Sequence, residues 1–169
     1  MSCLSWNCRG LGNPQTEDEF VSLVSNKDPM LVFLMETKVE KYVLDRIGRK
    51  IHYSNLFVVP RHNTGGGLAL FWKTDSNIDV QSFSDRHIDA IINHGVDDAW
   101  QFTGFYGDPD TASRENSWSL LRTLHNQFNL PWLCIGDFNE ILLVDEKQGW
   151  LDRWKDKCKG LGRLWTIAN

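Results

Sequence analysis

Apolar runs and alternating stretches succeed one another along the chain and predict strands and helices in a mixed order. Residues 30–35 (MLVFLM) are apolar throughout, as are residues 132–135 within 130–142 (LPWLCIGDFNEIL). Unbroken runs of this length suit strands buried on both faces. Residues 3–7 (CLSWN) predict a short first strand with a glycine-rich exit. Asn13-Pro14 then predicts a helix start, with Asn as cap and Pro in the first turn. Glu17, Asp18 and Glu19 crowd that first turn, where the helix dipole favours negative charge. Phe20, Val21, Leu23 and Val24 form its apolar stripe, and residues 26–29 end it. Residues 38–49 predict a second, short helix carrying Val39, Val43, Leu44 and Ile47. Residues 56–59 and 68–72 predict a hairpin around 63–67 (NTGGG). Residues 78–83 and 87–93 read as alternating strands, and 100–106 as a further strand. Residues 113–128 place Trp118, Leu121, Leu124 and Phe128 at helical spacing. Together this predicts an α/β sandwich of two packed mixed sheets flanked by helices, rather than a purely parallel sheet.

The polar residues that stand out fall at predicted strand ends: Asn7, Glu36, Tyr106, and Asp137 with Asn139. If these strands are neighbours, their ends share one rim, where open α/β folds place their sites. Glu36 offers hard oxygen suited to Mg2+, which keeps several waters and needs only one or two carboxylates. Asn7 and Asn139 can bond phosphate oxygens without adding charge. Asp137 can orient or deprotonate a water, and Tyr106 can donate to a phosphate oxygen. This inventory matches metal-assisted attack of water on a phosphate ester. Taken alone, Gly136, Asp137 and Asn139 read equally as an Asx turn leaving a strand.

Composition narrows the picture without redirecting it. The 169 residues suffice for one domain with a sizeable core, and 41% apolar and 24% charged residues are ordinary for a globular chain. A formal charge of −4 argues against a simple basic coat for nucleic acid. It leaves room for an enzyme that meets phosphate through a metal ion, which brings its own charge. Four cysteines (Cys3, Cys8, Cys134, Cys158) form no CxxC pair, which points to a reducing compartment, nucleus or cytoplasm. The N-terminus does not read as a signal peptide and no apolar run has membrane-spanning length, so no membrane partner is expected. The five histidines (His52, His62, His87, His94, His125) read as structural or exposed. Lys38 reads as solvated and Gly65-Gly66-Gly67 as a hairpin turn, since no Lys-Ser/Thr follows. Arg9, beside Asn7, is open to contact with a phosphate group.

The motifs acquire specificity from their order. SWNCRG (5–10), FLMETK (33–38), TGFYGDP (103–109) and IGDFNEIL (135–142) resemble the successive motifs of the endonuclease/exonuclease/phosphatase superfamily. Within it, SWNCRGLGNP, GGLALFWK and PWLCIGDFNEIL resemble the endonuclease domain of plant LINE-type, non-LTR retrotransposons. The resemblance covers residues 2–149. It implies a DNase I-like four-layer α/β sandwich and hydrolysis of phosphodiester bonds with Mg2+, or Mn2+. DNA is the implied substrate, and no obligate protein partner is inferable. By this resemblance Glu36 binds metal with Asn7 beside it, Tyr106 contacts the scissile phosphate, and Asp137 with Asn139 positions the attacking water. A phosphatase of the same superfamily, or a non-catalytic remnant that binds nucleic acid or a partner, are the alternatives.

The chain also departs from the pattern. Residues 150–169 contain no His and nothing like the superfamily's Ser-Asp-His ending. Two units are therefore expected: an incomplete domain over 1–149 and a divergent basic tail over 150–169, as in a truncated or frame-shifted copy with impaired or no activity.

Overall fold

The computed structural model describes residues 2–60 and 66–139. The basic tail, its boundary at 149, His62 and Cys158 lie outside the described residues, as do 63–65 of the hairpin turn. The strands are β1 (Cys3–Asn7), β2 (Leu31–Met35), β3 (Asn55–Val59), β4 (Leu68–Trp72), β5 (Ile78–Ser84), β6 (His87–Ile92), β7 (Trp100–Tyr106) and β8 (Trp132–Asp137). The helices are α1 (Pro14–Lys27), α2 (Lys41–Lys50) and α3 (Arg114–His125), the last preceded by a single 3-10 turn over Thr111–Ser113.

Two four-stranded mixed sheets form, in the orders β1-β2-β4-β3 and β5-β6-β7-β8. The pairs β1/β2 and β7/β8 are parallel and the rest antiparallel. The period-two alternation of β2 sorts its side chains into two cores. Val32 and Leu34 join Phe20, Val24, Leu44, Ile47 and Phe71 beneath α1 and α2. Leu31, Phe33 and Met35 join Leu68, Leu70, Ile88, Ile92 and Phe102 between the sheets. On the outer face of the second sheet the Gln101 side chain donates to the Leu124 carbonyl of α3. Helices, sheet, sheet and helix make the four layers that the resemblance implies, around the two packed mixed sheets that the pattern predicts.

Local chemistry sets the boundaries. Asn13 caps α1, its side chain accepting from the Gln15 N–H, with Pro14 following, and α1 ends where Asp28 turns left-handed at φ +45°. The second helix starts three residues later than its apolar spacing predicts. Lys38 is itself left-handed at φ +53° and Glu40 stands at the cap, so 38–40 belong to the loop.

Two strands differ from expectation. The pattern over 87–93 is not alternating, because every residue of β6 is buried between β5 and β7. Its polar positions have partners: His87 bonds the Ser82 and Ser84 hydroxyls, and Asp89 accepts from Thr103 and Gln101. The run at 132–135 is not buried on both faces. Among the described residues β8 pairs on one side only, with β7, so it is half-buried and Leu133 is exposed. Among the described residues no helix is long and apolar enough to cross a membrane, and Cys3, Cys8 and Cys134 are free thiols.

Candidate active site

Parallel pairing in register brings four strand ends to one rim. Asn7 closes β1 opposite Met35 of β2, and Glu36 follows directly. In the other sheet Tyr106 closes β7 opposite Asp137, the last residue of β8. The two pairs meet because β8 packs across the sandwich onto β1 and β2. All five residues singled out by their polarity therefore come together, with Asn139 two positions beyond Asp137.

Asn7 is the join. Its Nδ2 donates to Glu36 Oε1 at 3.0 Å and to Asp137 Oδ2 at 3.1 Å. One carboxamide therefore bridges carboxylates from two different sheets, and its Oδ1 accepts from the Arg9 N–H at 3.2 Å. The Tyr106 hydroxyl donates to the same Glu36 Oε1 at 2.9 Å. Asp137 Oδ1 accepts from the Asn139 N–H at 3.0 Å, which is the Asx turn the tripeptide suggests. The two readings of that tripeptide thus coincide, because the turn is what presents Asp137 at the rim. Asn139 is left-handed at φ +52° and its amide donates to the Gly107 carbonyl at 2.7 Å. Gly107 in turn donates to the Asp137 carbonyl at 2.8 Å. A side chain at Gly107 would meet the Phe138 carbonyl at 2.0 Å, so this crossing of loops requires glycine.

Burial and charge tune these groups in opposite senses. Burial alone pushes the Glu36 carboxyl up, but hydrogen bonds from Lys38, Asn7 and Tyr106 outweigh it and hold it below the usual glutamate value. Glu36 is thus an anion at neutral pH. The Tyr106 phenol is pushed up to about 12, first by burial and then by the neighbouring Glu36. It remains a hydrogen-bond donor throughout the physiological range. Arg86 lies over the Tyr106 ring, 5.7 Å from its centroid, and pairs with Asp108 at 3.2 Å.

Sequence reasoning missed Lys38. Instead of being solvated, its Nζ lies 2.7 Å from Glu36 Oε2. The Glu-x-Lys spacing was the available signal, but in an extended strand it would also place the lysine on the same face without contact. Arg9 is exposed and left-handed at φ +50°, tied to the site by its backbone alone. Among the described histidines, His87 is absorbed by serines and His94 pairs with Asp79 at 3.0 Å, so neither serves the rim.

The donor set fits a hard divalent ion. Among the described residues no three His, Cys, Asp or Glu side chains cluster. Two carboxylates linked by one amide, with Glu36 still partly exposed, are what an ion that retains most of its water requires.

A family model described as the endonuclease/exonuclease/phosphatase family matches residues 4–168. Comparison with curated protein sequences gives no match. Among solved structures, the chain is similar to the mannosyl-6-phosphatase of Bacteroides thetaiotaomicron at 18% identity and a TM-score of 0.61, covering 82% of this chain and 65% of that one. It is similar to an AP endonuclease from Archaeoglobus fulgidus at 17% identity and a TM-score of 0.56, covering 82% and 56%. The catalytic domain of Xenopus laevis APE2 matches at 18% identity and a TM-score of 0.57, covering 83% and 59%. The chain thus spans less than two thirds of the length of each of these structures. At such identities the likeness establishes the shared fold.

Proposed function

Since the chain belongs to the endonuclease/exonuclease/phosphatase family, a family of phosphoester hydrolases, we propose that its rim is a divalent-metal-dependent phosphodiesterase site acting on DNA as an endonuclease. The observation that carries this reading is the Asn7 amide shared between Glu36 and Asp137, which ties a metal-binding type of carboxylate to a water-orienting one. The resemblance of three stretches to plant LINE-type endonuclease domains supports DNA as substrate and a retrotransposon origin.

Glu36 would hold Mg2+ or Mn2+, with Asn7 adding the Oδ1 that here accepts from the Arg9 N–H. The ion would neutralise charge developing on the phosphate. Asp137, fixed by the Asn139 N–H through one oxygen, has its other oxygen turned to the shared amide and orients the attacking water. Tyr106, protonated at all relevant pH values, would turn its single O–H from Glu36 Oε1 to a phosphate oxygen when substrate is bound. Asn139 holds the loop that carries Asp137 and lends the phosphate a neutral donor.

The test is nicking of supercoiled plasmid with Mg2+ by the 169-residue chain, by Glu36→Ala and by Asp137→Ala. Metal-dependent nicking, at whatever impaired level the chain retains, supports this reading when each substitution lowers it by about 100-fold or more, the scale of a lost charge-stabilising group. Hydrolysis of phosphate monoesters without nicking would replace this reading with a phosphatase. Binding of DNA that persists in EDTA without cleavage would replace it with a non-catalytic binder.

A further inference from the structure

Lys38 is held at Glu36 by more than charge. Glu36 and Lys38 are both left-handed, at φ +52° and +53°, a conformation costly for residues with side chains unless the surroundings enforce it. The enforcement is visible. Thr37, between them, is buried, its N–H donating to the Gly67 carbonyl and its carbonyl accepting from the Leu11 N–H. The Lys38 N–H donates to the Gly66 carbonyl at 3.1 Å. The turn is thus clamped between the β3–β4 hairpin and the loop after β1, and the side chains flanking Thr37 reach the same rim. The lysine stem packs beside Gly10, its Cδ and Cβ 3.8 and 3.9 Å from where a Cβ would stand, and Gly10 itself, at φ +118°, takes a backbone conformation that favours glycine.

The hydrogen-bond census on Glu36 gives this clamp its meaning. Oε1 accepts from Asn7 and Tyr106, and Oε2 faces the Lys38 ammonium. Without any ion, both carboxylate oxygens already have donors, and one of those donors is a cation. We propose that Lys38 is a tethered counter-cation of Glu36 that competes with the divalent ion for Oε2, setting the metal affinity of the site and keeping it ordered when metal is absent. The inference rests on the metal-dependent reading above. A divalent ion arriving at Glu36 meets a positive charge 2.7 Å from the oxygen it needs. The ammonium sits on a flexible four-carbon stem, and the Lys38 side chain is about one-third exposed at 35%, so it has both the reach and the solvent to withdraw.

The test is Mn2+ titration, following free Mn2+ by electron paramagnetic resonance, on the wild-type chain, Lys38→Met, Lys38→Arg and Glu36→Gln. Thermal unfolding in EDTA is measured alongside. Removing the competing charge is expected to tighten Mn2+ binding by about tenfold, a repulsion at close range discounted for solvent screening. Lys38→Met should also lower Tm in EDTA and recover it with saturating Mn2+, while Lys38→Arg stays near wild type. If Glu36→Gln abolishes Mn2+ binding but Lys38→Met leaves it unchanged or weaker, the counter-cation proposal fails alone. If no Mn2+ binding depends on Glu36 in either background, the metal-dependent reading fails and takes the proposal with it.

Discussion

Asp89 shows how a single buried residue can set a pH dependence remote from the rim. It is fully buried in β6, and its Oδ1 accepts from Thr103 at 2.5 Å and Gln101 at 2.9 Å. Among the described residues its Oδ2 has no partner, and neither does Gln101 Oε1. The other donors are committed, since Trp132 Nε1 donates to Thr103 and Gln101 Nε2 also donates to Leu124. Across the sheet Asp89 stands opposite Ser82 on β5 and Thr103 on β7, with Cys134 beyond Thr103 on β8 and His87 two residues away on the same face. Two buried acceptors lack a donor, and burial pushes the Asp89 carboxyl up, toward its protonated form. A carboxyl raised by folding gives stability that is complete below the ordinary aspartate value and lost as pH rises through the raised one. His87 works at the other end: burial pushes it down to about 4, so its contribution is complete above 6.5 and lost as pH falls toward 4. Asn at position 89 mimics the protonated acid. We expect the Tm difference between Asp89→Asn and wild type to move in favour of the variant as pH rises from about 5 to 8. A difference constant with pH would show that Asp89 is ionised in the folded chain.

Between elements, the decisive contact is an ionic one that periodicity does not reveal. Glu17 reads from its place in α1 as a first-turn acid serving the helix dipole. It is instead buried against α2, with Lys50 Nζ at 2.6 Å and Arg46 Nη2 at 2.5 Å. The hydrogen bond from Lys50 and the two nearby cations hold its carboxyl below the usual glutamate value. The stability it contributes is present above that value and lost as pH falls below it. Glu17→Gln should cost about 1–2 kcal/mol at neutral pH, because both cations are about half exposed and the pair is only partly buried. The check is denaturant unfolding at pH 7 and below pH 4, where the gap should close. The same contrast explains what was legible. The strands β1, β2 and β7 and the cap at Asn13-Pro14 follow from local composition, because apolar runs and capping chemistry act within a few residues. The five rim residues were legible because polar side chains at the ends of apolar runs have few other uses. The pairing of Lys38 with Glu36, the burial of Glu17 and the polar face of β6 were not, since each depends on a partner that only the tertiary fold supplies.

The whole molecule depends on how closely its two sheets approach, because the rim takes Asn7 and Glu36 from one and Tyr106 and Asp137 from the other. Gly104 of β7 sets that distance. A Cβ there would lie 2.4 Å from Cδ2 of Phe33, a fully buried ring in β2, two residues before Met35 and three before Glu36. No real contact is that short, so Gly104→Ala must displace the ring or separate the sheets, an overpacking strain of about 1–3 kcal/mol. A Tm lower by several degrees should follow. A smaller ring-side residue should relieve it, so Gly104→Ala combined with Phe33→Leu is expected to be more stable than the sum of the two single changes. The displacement also carries a prediction for the site. If the sheets separate, the Asn7 amide can no longer reach both carboxylates, and nicking well below Tm should fall further than the loss of folded protein accounts for. If nicking instead tracks the folded fraction alone, the strain is absorbed within the Phe33 pocket. The spacing of the rim would then be held by the Asn7 bridge itself rather than by the packing beneath it.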